Sequence, residues 1–85
     1  MKIFCFTTQS GFGNDLLVVA LSADGKHSWS HVSSSVSWAK RDIGFLKGSH
    51  YEWRHEQYAE AYPDGYELEW LEIEDVPQEL LRERE

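Results

Sequence analysis

The sequence predicts a small α+β domain in which an antiparallel sheet of about four strands carries helices on one face. Apolar runs rich in β-branched and aromatic residues, at 2–8 and 16–22, are typical of strands. A capping box formed by residues 49 and 52 marks the start of a helix. Alternation of polar and apolar residues over 66–70 predicts another strand with one solvated face. The expected order of elements is β-β-β-α-α-β-α.

The first half of the chain is predicted to form three strands joined by tight turns. Residues 11–14 favour a turn between the first two strands. Asp24 and Gly25 favour a second turn, because an Asp-Gly pair readily adopts the positive φ values that tight hairpins need. A third strand is therefore expected to run through Val32.

A short helix is predicted to follow the third strand, over residues 36–41. Ser33, Ser34 and Ser35 offer hydroxyl groups that can cap its first turn. Gly44 is placed to end it, since glycine readily adopts the left-handed conformation found after helices.

A longer helix is predicted over residues 50–61, with a Pro-Asp-Gly turn at 63–65 to end it. Its aromatic residues recur at i, i+4, i+7 and i+11, which predicts a stripe that packs on the sheet. A last short helix is expected to open at Pro77, because proline is tolerated in a first helical turn. The predicted stripe consists of Tyr51, His55, Tyr58 and Tyr62.

Length and composition favour one folded domain spanning residues 1–85. An aromatic content of 14% argues against intrinsic disorder. The single cysteine, Cys5, excludes an intramolecular disulfide and fits a reducing compartment. The sequence shows neither a signal peptide nor an apolar run long enough to span a membrane. We therefore expect a cytoplasmic protein that does not act at a membrane.

The charge is divided between the two halves of the chain. Residues 1–48 contain five Lys and Arg against three Asp and Glu, whereas residues 49–85 contain three against twelve. Such an asymmetry suggests a surface that meets a basic partner. Direct binding to nucleic acid is disfavoured, because it normally requires a basic surface.

Two rows of glutamates are predicted within the acidic half. Glu52, Glu56 and Glu60 recur every four residues, which places them on one helix face at intervals of about 6 Å. Glu67 and Glu69 share one face of a strand at about 6.6 Å. These intervals are close to the spacing of phosphates along a nucleic-acid strand, so adjoining rows would imitate a nucleic acid. The alternative is an ordinary solvated surface, since Glu also suits a helix start and a wet strand face.

A second candidate site lies at the start of the first helix. The hydroxyls of Ser33, Ser34 and Ser35, with free backbone N–H groups, can hold an anion, and His31 and Arg41 are near in sequence. This alternative predicts a phosphate- or nucleotide-binding module or a small enzyme. Simple N-capping is the commoner role of serines at a helix start. No pattern of nucleophile, base and oxyanion hole is present, so the sequence favours a protein without catalytic activity.

The histidines do not predict a metal site. His27 and His31 alternate with serine and tryptophan as in a strand, where residues four apart are about 13 Å apart. That separation is too large for both to bind one ion. We expect neither a metal nor another cofactor.

Three segments of the sequence form a recognisable set: 31–35 (HVSSS), 38–44 (WAKRDIG) and 62–70 (YPDGYELEW). Together they resemble a group of small uncharacterised proteins encoded in bacteriophage and prophage genomes. The resemblance covers roughly residues 17–72. No activity is attached to that group, so the resemblance transfers no catalytic or binding residue. Since small acidic phage-type proteins often act on host machinery, it implies a host protein as partner and the host cytoplasm as location.

We therefore predict an acidic protein-interaction module that binds a basic surface of a host protein, as a phage-type inhibitor or nucleic-acid mimic. Aromatic residues dominate the energetics of many interfaces, so Trp53 is the predicted anchor. The predicted partner-binding residues are Glu52, Trp53, Glu56, Glu60, Glu67 and Glu69.

Overall fold

The computed structural model describes residues 1–9, 13–45 and 52–82, apart from the side chains of residues 52–54 and 82. The α+β class and the predicted order of strands and helices are confirmed, with a short 3-10 turn added before the last helix. In chain order the elements are β1 (Lys2–Gln9), β2 (Leu16–Ser22), β3 (Ser28–Ser33), α1 (Val36–Asp42), α2 (Glu52–Ala61), β4 (Glu67–Trp70), the 3-10 turn (Ile73–Asp75) and α3 (Gln78–Arg82).

The four strands form one sheet in the order β3-β2-β1-β4. β1 and β3 both pair antiparallel with β2, as expected for successive hairpins. β4 lies on the other side of β1 and runs parallel to it, with Ile3 opposite Leu68 and Cys5 opposite Trp70. The sheet is therefore mixed and not purely antiparallel. Parallel neighbours need a long connection, and here the chain passes through β2 and β3 before the segment holding α1 and α2 leads from β3 to β4.

The turn between β2 and β3 forms where the sequence predicts it. Gly25 has a φ of +75°, and its N–H donates to the carbonyl of Ser22 at 3.0 Å. The turn between β1 and β2 was expected at residues 11–14. Its first two residues lie outside the described part of the chain, and Gly13 follows with a φ of +66°.

One side of the sheet, here called the α2 face, is covered by α1 and α2. Ser35 caps α1, since its hydroxyl accepts a hydrogen bond from the backbone N–H of Trp38 at 3.2 Å. Gly44 follows the helix end with a φ of +81°. Both predictions for this short helix are confirmed. The buried members of the α2 face are Ile3, Cys5, Val18, Ala20, Ala39, Ile43 and Tyr58.

The opposite side of the sheet, here called the α3 face, is covered by the segment that holds the 3-10 turn and α3. The expectation of helices on one face is therefore wrong for α3. β2 is apolar at nearly every position, so side chains on both of its faces need cover, as in sheets buried on both sides. The buried members of the α3 face are Phe6, Val19, Leu21 and Val76, and Leu17, Leu71, Leu80 and Leu81 pack against them.

The predicted aromatic stripe of α2 packs toward the sheet. Tyr58 is 1% exposed and belongs to the buried cluster of the α2 face, and Tyr62 packs against that cluster. His55 stacks on Tyr66 with a centroid distance of 6.1 Å. Tyr51, the first member of the stripe, and the capping residue Ser49 lie outside the described residues.

Candidate functional site

The glutamates of α2 and β4 lie on opposite sides of the sheet. Glu56 and Glu60 are exposed and flank the buried Tyr58 by two residues each, which turns them away from the sheet. Alternate residues of β4 pack into the α2 face, and this directs Glu67 and Glu69 to the other side. The two predicted rows therefore do not adjoin on one surface.

The remaining predicted partner-binding residues lie in the first turn of α2. Glu52 and Trp53 are helical by backbone, and their side chains are outside the described ones. On β4, a carboxylate oxygen of Glu69 lies 3.2 Å from the Nζ of Lys2, and both side chains are nearly half exposed. An ion pair this exposed contributes about 0–1 kcal/mol, so it neutralises charge more than it stabilises the fold.

The residues of the predicted anion site do not converge. Ser35 is engaged as the cap of α1, Ser33 is buried at the end of β3, and Ser34 is exposed. Arg41 lies in the last turn of α1, with its guanidinium 5.4 Å from the centre of the Trp38 ring. Arg41 is thus at the opposite end of the helix from the serines.

His31 is paired with an acid. Its Nε2 lies 3.1 Å from Oδ2 of Asp42, and both side chains are largely buried. A carboxylate in this position repels a phosphate and competes with it for the imidazole. The geometry therefore disfavours an anion held by His31 and Arg41.

A hydrogen-bonded network joins the β2–β3 turn to the residue that follows α2. The Tyr62 hydroxyl lies 2.7 Å from Oδ1 of Asp24 and 3.0 Å from Nδ1 of His27. The same Oδ1 accepts hydrogen bonds from the Ser22 hydroxyl at 2.6 Å and from the Lys26 backbone N–H at 2.9 Å. The predicted Asp-Gly turn is in this way tied to a tyrosine 38 residues later in the chain.

The protonation of this network follows from Asp24. Hydrogen bonds from the Ser22 hydroxyl, the Lys26 backbone and Tyr62 lower the pKa of Asp24 to about 2. Asp24 is therefore ionised at neutral pH and only accepts, so the Tyr62 hydroxyl donates to it. Because the hydroxyl of Tyr62 has only one proton, its oxygen must accept the hydrogen bond from His27. The Nδ1 of His27 therefore carries a proton and donates it to that bond. Burial, together with the Asp24 carboxylate, raises the pKa of Tyr62.

An open groove of about 380 Å³ lies beside the network, between α2 and the strand β3. The side opposite α2 is aromatic: the ring of His27, the residue before β3, and that of Trp29 in β3 stack with a centroid distance of 5.9 Å and an interplanar angle of 11°. Its α2 side presents the polar side chains of Gln57 and Glu60, together with Ala61, the last residue of the helix. None of the described residues lining the groove is Lys or Arg. The volume is within the range of about 300–1,000 Å³ common for ligand sites.

The sequence indicates the individual residues of this site but not that they lie close together. The turn at Asp24, the strand alternation at His27 and Trp29, and the position of Tyr62 in the aromatic stripe are all visible in the sequence. Their meeting depends on how α2 crosses the sheet, for which the sequence holds no local signal.

The single cysteine, the potential metal ligands and the helices add no further candidate site in the described part of the chain. Burial raises the pKa of the Cys5 thiol to about 12, which makes it unreactive at neutral pH, as its apolar neighbours predicted. Within residues 1–9, 13–45 and 52–82, no three His, Cys, Asp or Glu residues are arranged to hold a metal ion. In the same part of the chain, no helix has the length and apolar character needed to cross a membrane.

The comparisons with known proteins identify no relative. No family model matches the chain, and neither the curated proteins nor the solved structures include a match. The resemblance to phage-encoded proteins therefore stays a prediction.

Proposed function

We propose that this protein is an acidic interaction module that binds a basic surface of another protein. The observation that supports the proposal best is a long run of acids with no base within it: residues 55–81 contain nine Asp and Glu and no Lys or Arg. All nine are exposed except Glu69, which is partly buried. They are Glu56, Glu60, Asp64, Glu67, Glu69, Glu72, Glu74, Asp75 and Glu79.

An excess of one charge lowers the free energy of unfolding, so its presence calls for an explanation. Like charges repel in the compact state and weaken folding, and acids four residues apart on a helix, such as Glu56 and Glu60, cost a few tenths of a kcal/mol. The same field attracts a basic partner and raises its association rate at low salt. A binding role accounts for both the retained repulsion and the absence of bases.

The α2 side of the molecule is the better candidate for the contact. Glu56 and Glu60 project outward there, and Glu60 lines a groove together with the aromatic rings of His27 and Trp29. The opposite side also carries exposed acids, on β4 and on the segment that covers it, and Glu69 there is already paired with a lysine. The exposed acids of that side are Glu67, Glu72, Glu74, Asp75 and Glu79. The α2 side is preferred because it sets acids beside aromatic rings. A partner meeting the α2 side gains both charge attraction and aromatic surface.

In its narrower form, the proposal describes a phage-type inhibitor that imitates a nucleic acid. The rise of an α-helix sets Glu56 and Glu60 about 6 Å apart, which is close to the spacing of successive phosphates. Because Glu67 and Glu69 face the other side of the sheet, the imitation rests on the α2 row alone, with Glu52 in its first turn.

The test begins with capture of a partner from bacterial lysate by the tagged protein. Beads are washed at about 50 mM and then about 300 mM salt, since higher salt screens contacts between exposed charges. The captured protein is then purified, and its association rate with the wild type is compared with that of two variants, Glu56→Lys and Glu67→Lys. The two variants make the same charge change on opposite sides of the sheet.

We expect one stoichiometric partner that is released at high salt. Glu56→Lys should slow association by about threefold or more at low salt, because it reverses a charge on the contact side. Glu67→Lys should leave the rate close to that of the wild type. Wild-type rates for both variants, or no captured partner at either salt, would refute the proposal.

A further inference from the structure

The groove between β3 and α2 combines three features that together select a class of ligand. One wall is a pair of nearly parallel rings, those of His27 and Trp29. The other wall carries a carboxylate, Glu60, and a side-chain amide, Gln57. A ligand that satisfies both walls has a flat or cationic group for the rings and hydrogen-bond donors for the oxygens.

The charges around the groove exclude an anionic ligand. Glu60 lines it, and the low pKa of Asp24 keeps that neighbouring carboxylate ionised at neutral pH. Asp24 is hydrogen-bonded through Tyr62 to the same histidine that forms part of the aromatic wall. A negatively charged group entering here meets the carboxylate of Glu60, with that of Asp24 behind Tyr62, and no described lysine or arginine in the lining.

A guanidinium group fits this combination better than an ammonium or an apolar group. It is planar and stacks on aromatic rings such as that of Trp29, and its N–H groups match a carboxylate such as that of Glu60. Its remaining donors suit the amide oxygen of Gln57. An apolar group would make no hydrogen bond to either polar side chain.

We propose that the groove receives an arginine side chain from the basic partner. This inference rests on the proposed function, because it assigns to one arginine the central position in the acidic contact. A volume of about 380 Å³ accommodates an arginine side chain and leaves the groove open to the solvent on the side where the partner's backbone lies.

The test needs no partner protein. The tripeptide acetyl-Gly-Arg-Gly-amide is titrated into the ¹⁵N-labelled protein, and the indole N–H signal of Trp29 and the side-chain amide signal of Gln57 are followed by NMR. The matched control peptide carries citrulline in place of arginine, which keeps the shape and removes the charge. Glu60→Gln and Glu67→Gln make the same neutralisation inside the groove and on the opposite side of the sheet.

We expect millimolar binding of the arginine peptide, with the largest shifts at Trp29 and Gln57. Glu60→Gln should weaken binding by about threefold, the size expected for one exposed ion pair, and Glu67→Gln should not change it. Equal binding of the citrulline peptide, an unchanged dissociation constant in Glu60→Gln, or shifts centred elsewhere would each overturn the proposal. Guanidinium chloride binding as tightly as the peptide would overturn the assignment to a protein side chain.

The outcome is separable from that of the proposed function. Glu56, which reports on the acidic contact, does not line the groove, whereas Glu60 does. A failed titration together with salt-sensitive capture that depends on Glu56 would reject the arginine site and leave the acidic module intact. Arginine binding without any captured partner would reject the acidic module and leave the groove as a site for guanidinium groups.

Discussion

The two faces of the sheet are both buried, but different kinds of contact hold them. On the α2 face, aromatic side chains carry polar atoms that find specific partners. The hydroxyl of Tyr58 donates to the carbonyl of Ile43 at 3.2 Å, and the hydroxyl of Tyr66 lies 2.6 Å from Nδ1 of His55. Each of these bonds fixes the orientation of a ring as well as its burial.

The buried cluster of the α3 face consists of side chains without polar atoms. Phe6, Val19, Leu21 and Val76 form its buried cluster, and within the described part of the chain the partly buried apolar side chains that pack against it are leucines. Contacts of this kind are non-directional and scale with the apolar area removed from water. The side-chain contacts of this cluster therefore hold the covering segment through apolar burial.

This difference explains where the candidate site lies. Placing the groove requires α2 to sit at one position and rotation over β3, which directional bonds and ring contacts such as that of Tyr58 with Trp29 provide. A purely aliphatic contact tolerates small shifts and substitutions of similar volume. The α2 face is the part of the molecule in which geometry, and not only burial, is specified.

The largest expected effect comes from removing the centre of the α2 face. Tyr58→Ala deletes a side chain that is 1% exposed and leaves the carbonyl of Ile43 without its donor. We expect a loss of about 3–5 kcal/mol in the free energy of unfolding, measured by urea denaturation. The comparison variant on the α3 face is Val76→Ala, which should cost about 2 kcal/mol. A larger loss for Val76→Ala would contradict the contrast between the faces.

The next effect tests how closely α2 approaches the end of α1. Gly44 has a φ of +81°, and a Cβ atom built there would overlap the imidazole of His55. Gly44→Ala should cost about 1–3 kcal/mol, because it adds a steric clash to an unfavourable backbone conformation. Gly13→Ala is the matched control, since Gly13 also has a positive φ and its Cβ would meet no atom within 4 Å. Equal losses would show that His55 moves freely.

A smaller effect is expected from a single hydrogen bond of the α2 face. Tyr66→Phe removes the hydroxyl that lies 2.6 Å from Nδ1 of the partly buried His55. We expect a loss of about 1 kcal/mol, or a melting temperature lower by about 4–8 °C. An unchanged melting temperature would show that water replaces the bond. Apolar burial would then hold this part of the α2 face as it holds the buried cluster of the α3 face.

The sequence predicts the fold better than it predicts the site. Strand and helix positions follow from local patterns, such as the Asp-Gly turn at Gly25 and the serine cap of α1, and these are confirmed. The parallel pairing of β4 and the crossing of α3 to the other face depend on contacts between distant segments. Only the two-sided apolar pattern of β2 hinted that both faces need cover.

The same distinction applies to the candidate residues. The spacing of Glu56 and Glu60 is a property of one helix and is retained in the structure, whereas their relation to Glu67 and Glu69 depends on the side of the sheet each element faces. The meeting of Asp24 with Tyr62 links positions 38 residues apart and leaves no trace in the spacing of either segment.

The smallest predicted effect concerns the network beside the groove. Hydrogen bonds from the Ser22 hydroxyl, the Lys26 backbone and Tyr62 lower the pKa of Asp24 from 3.8 to about 2. Because the folded-state pKa is the lower one, the stabilisation from Asp24 is present above about pH 4 and is lost as the pH falls toward 2. Tyr62→Phe removes one donor, so the pKa of Asp24 should rise toward its ordinary value and part of this acid dependence should disappear.

The comparison is made by NMR titration of the Asp24 carboxyl and by urea denaturation between pH 2 and pH 7 in the wild type and in Tyr62→Phe. Asp24→Asn is the control, because an amide does not titrate and removes the whole contribution of this group. Since Asp24 is exposed, solvent screens its interactions. At neutral pH each variant should therefore differ from the wild type by less than about 1 kcal/mol in the free energy of unfolding. An unchanged pKa of Asp24 in Tyr62→Phe would mean that the hydrogen bonds within the turn alone lower this pKa. The hydrogen bond from Tyr62 would then contribute nothing to the electrostatics of the groove.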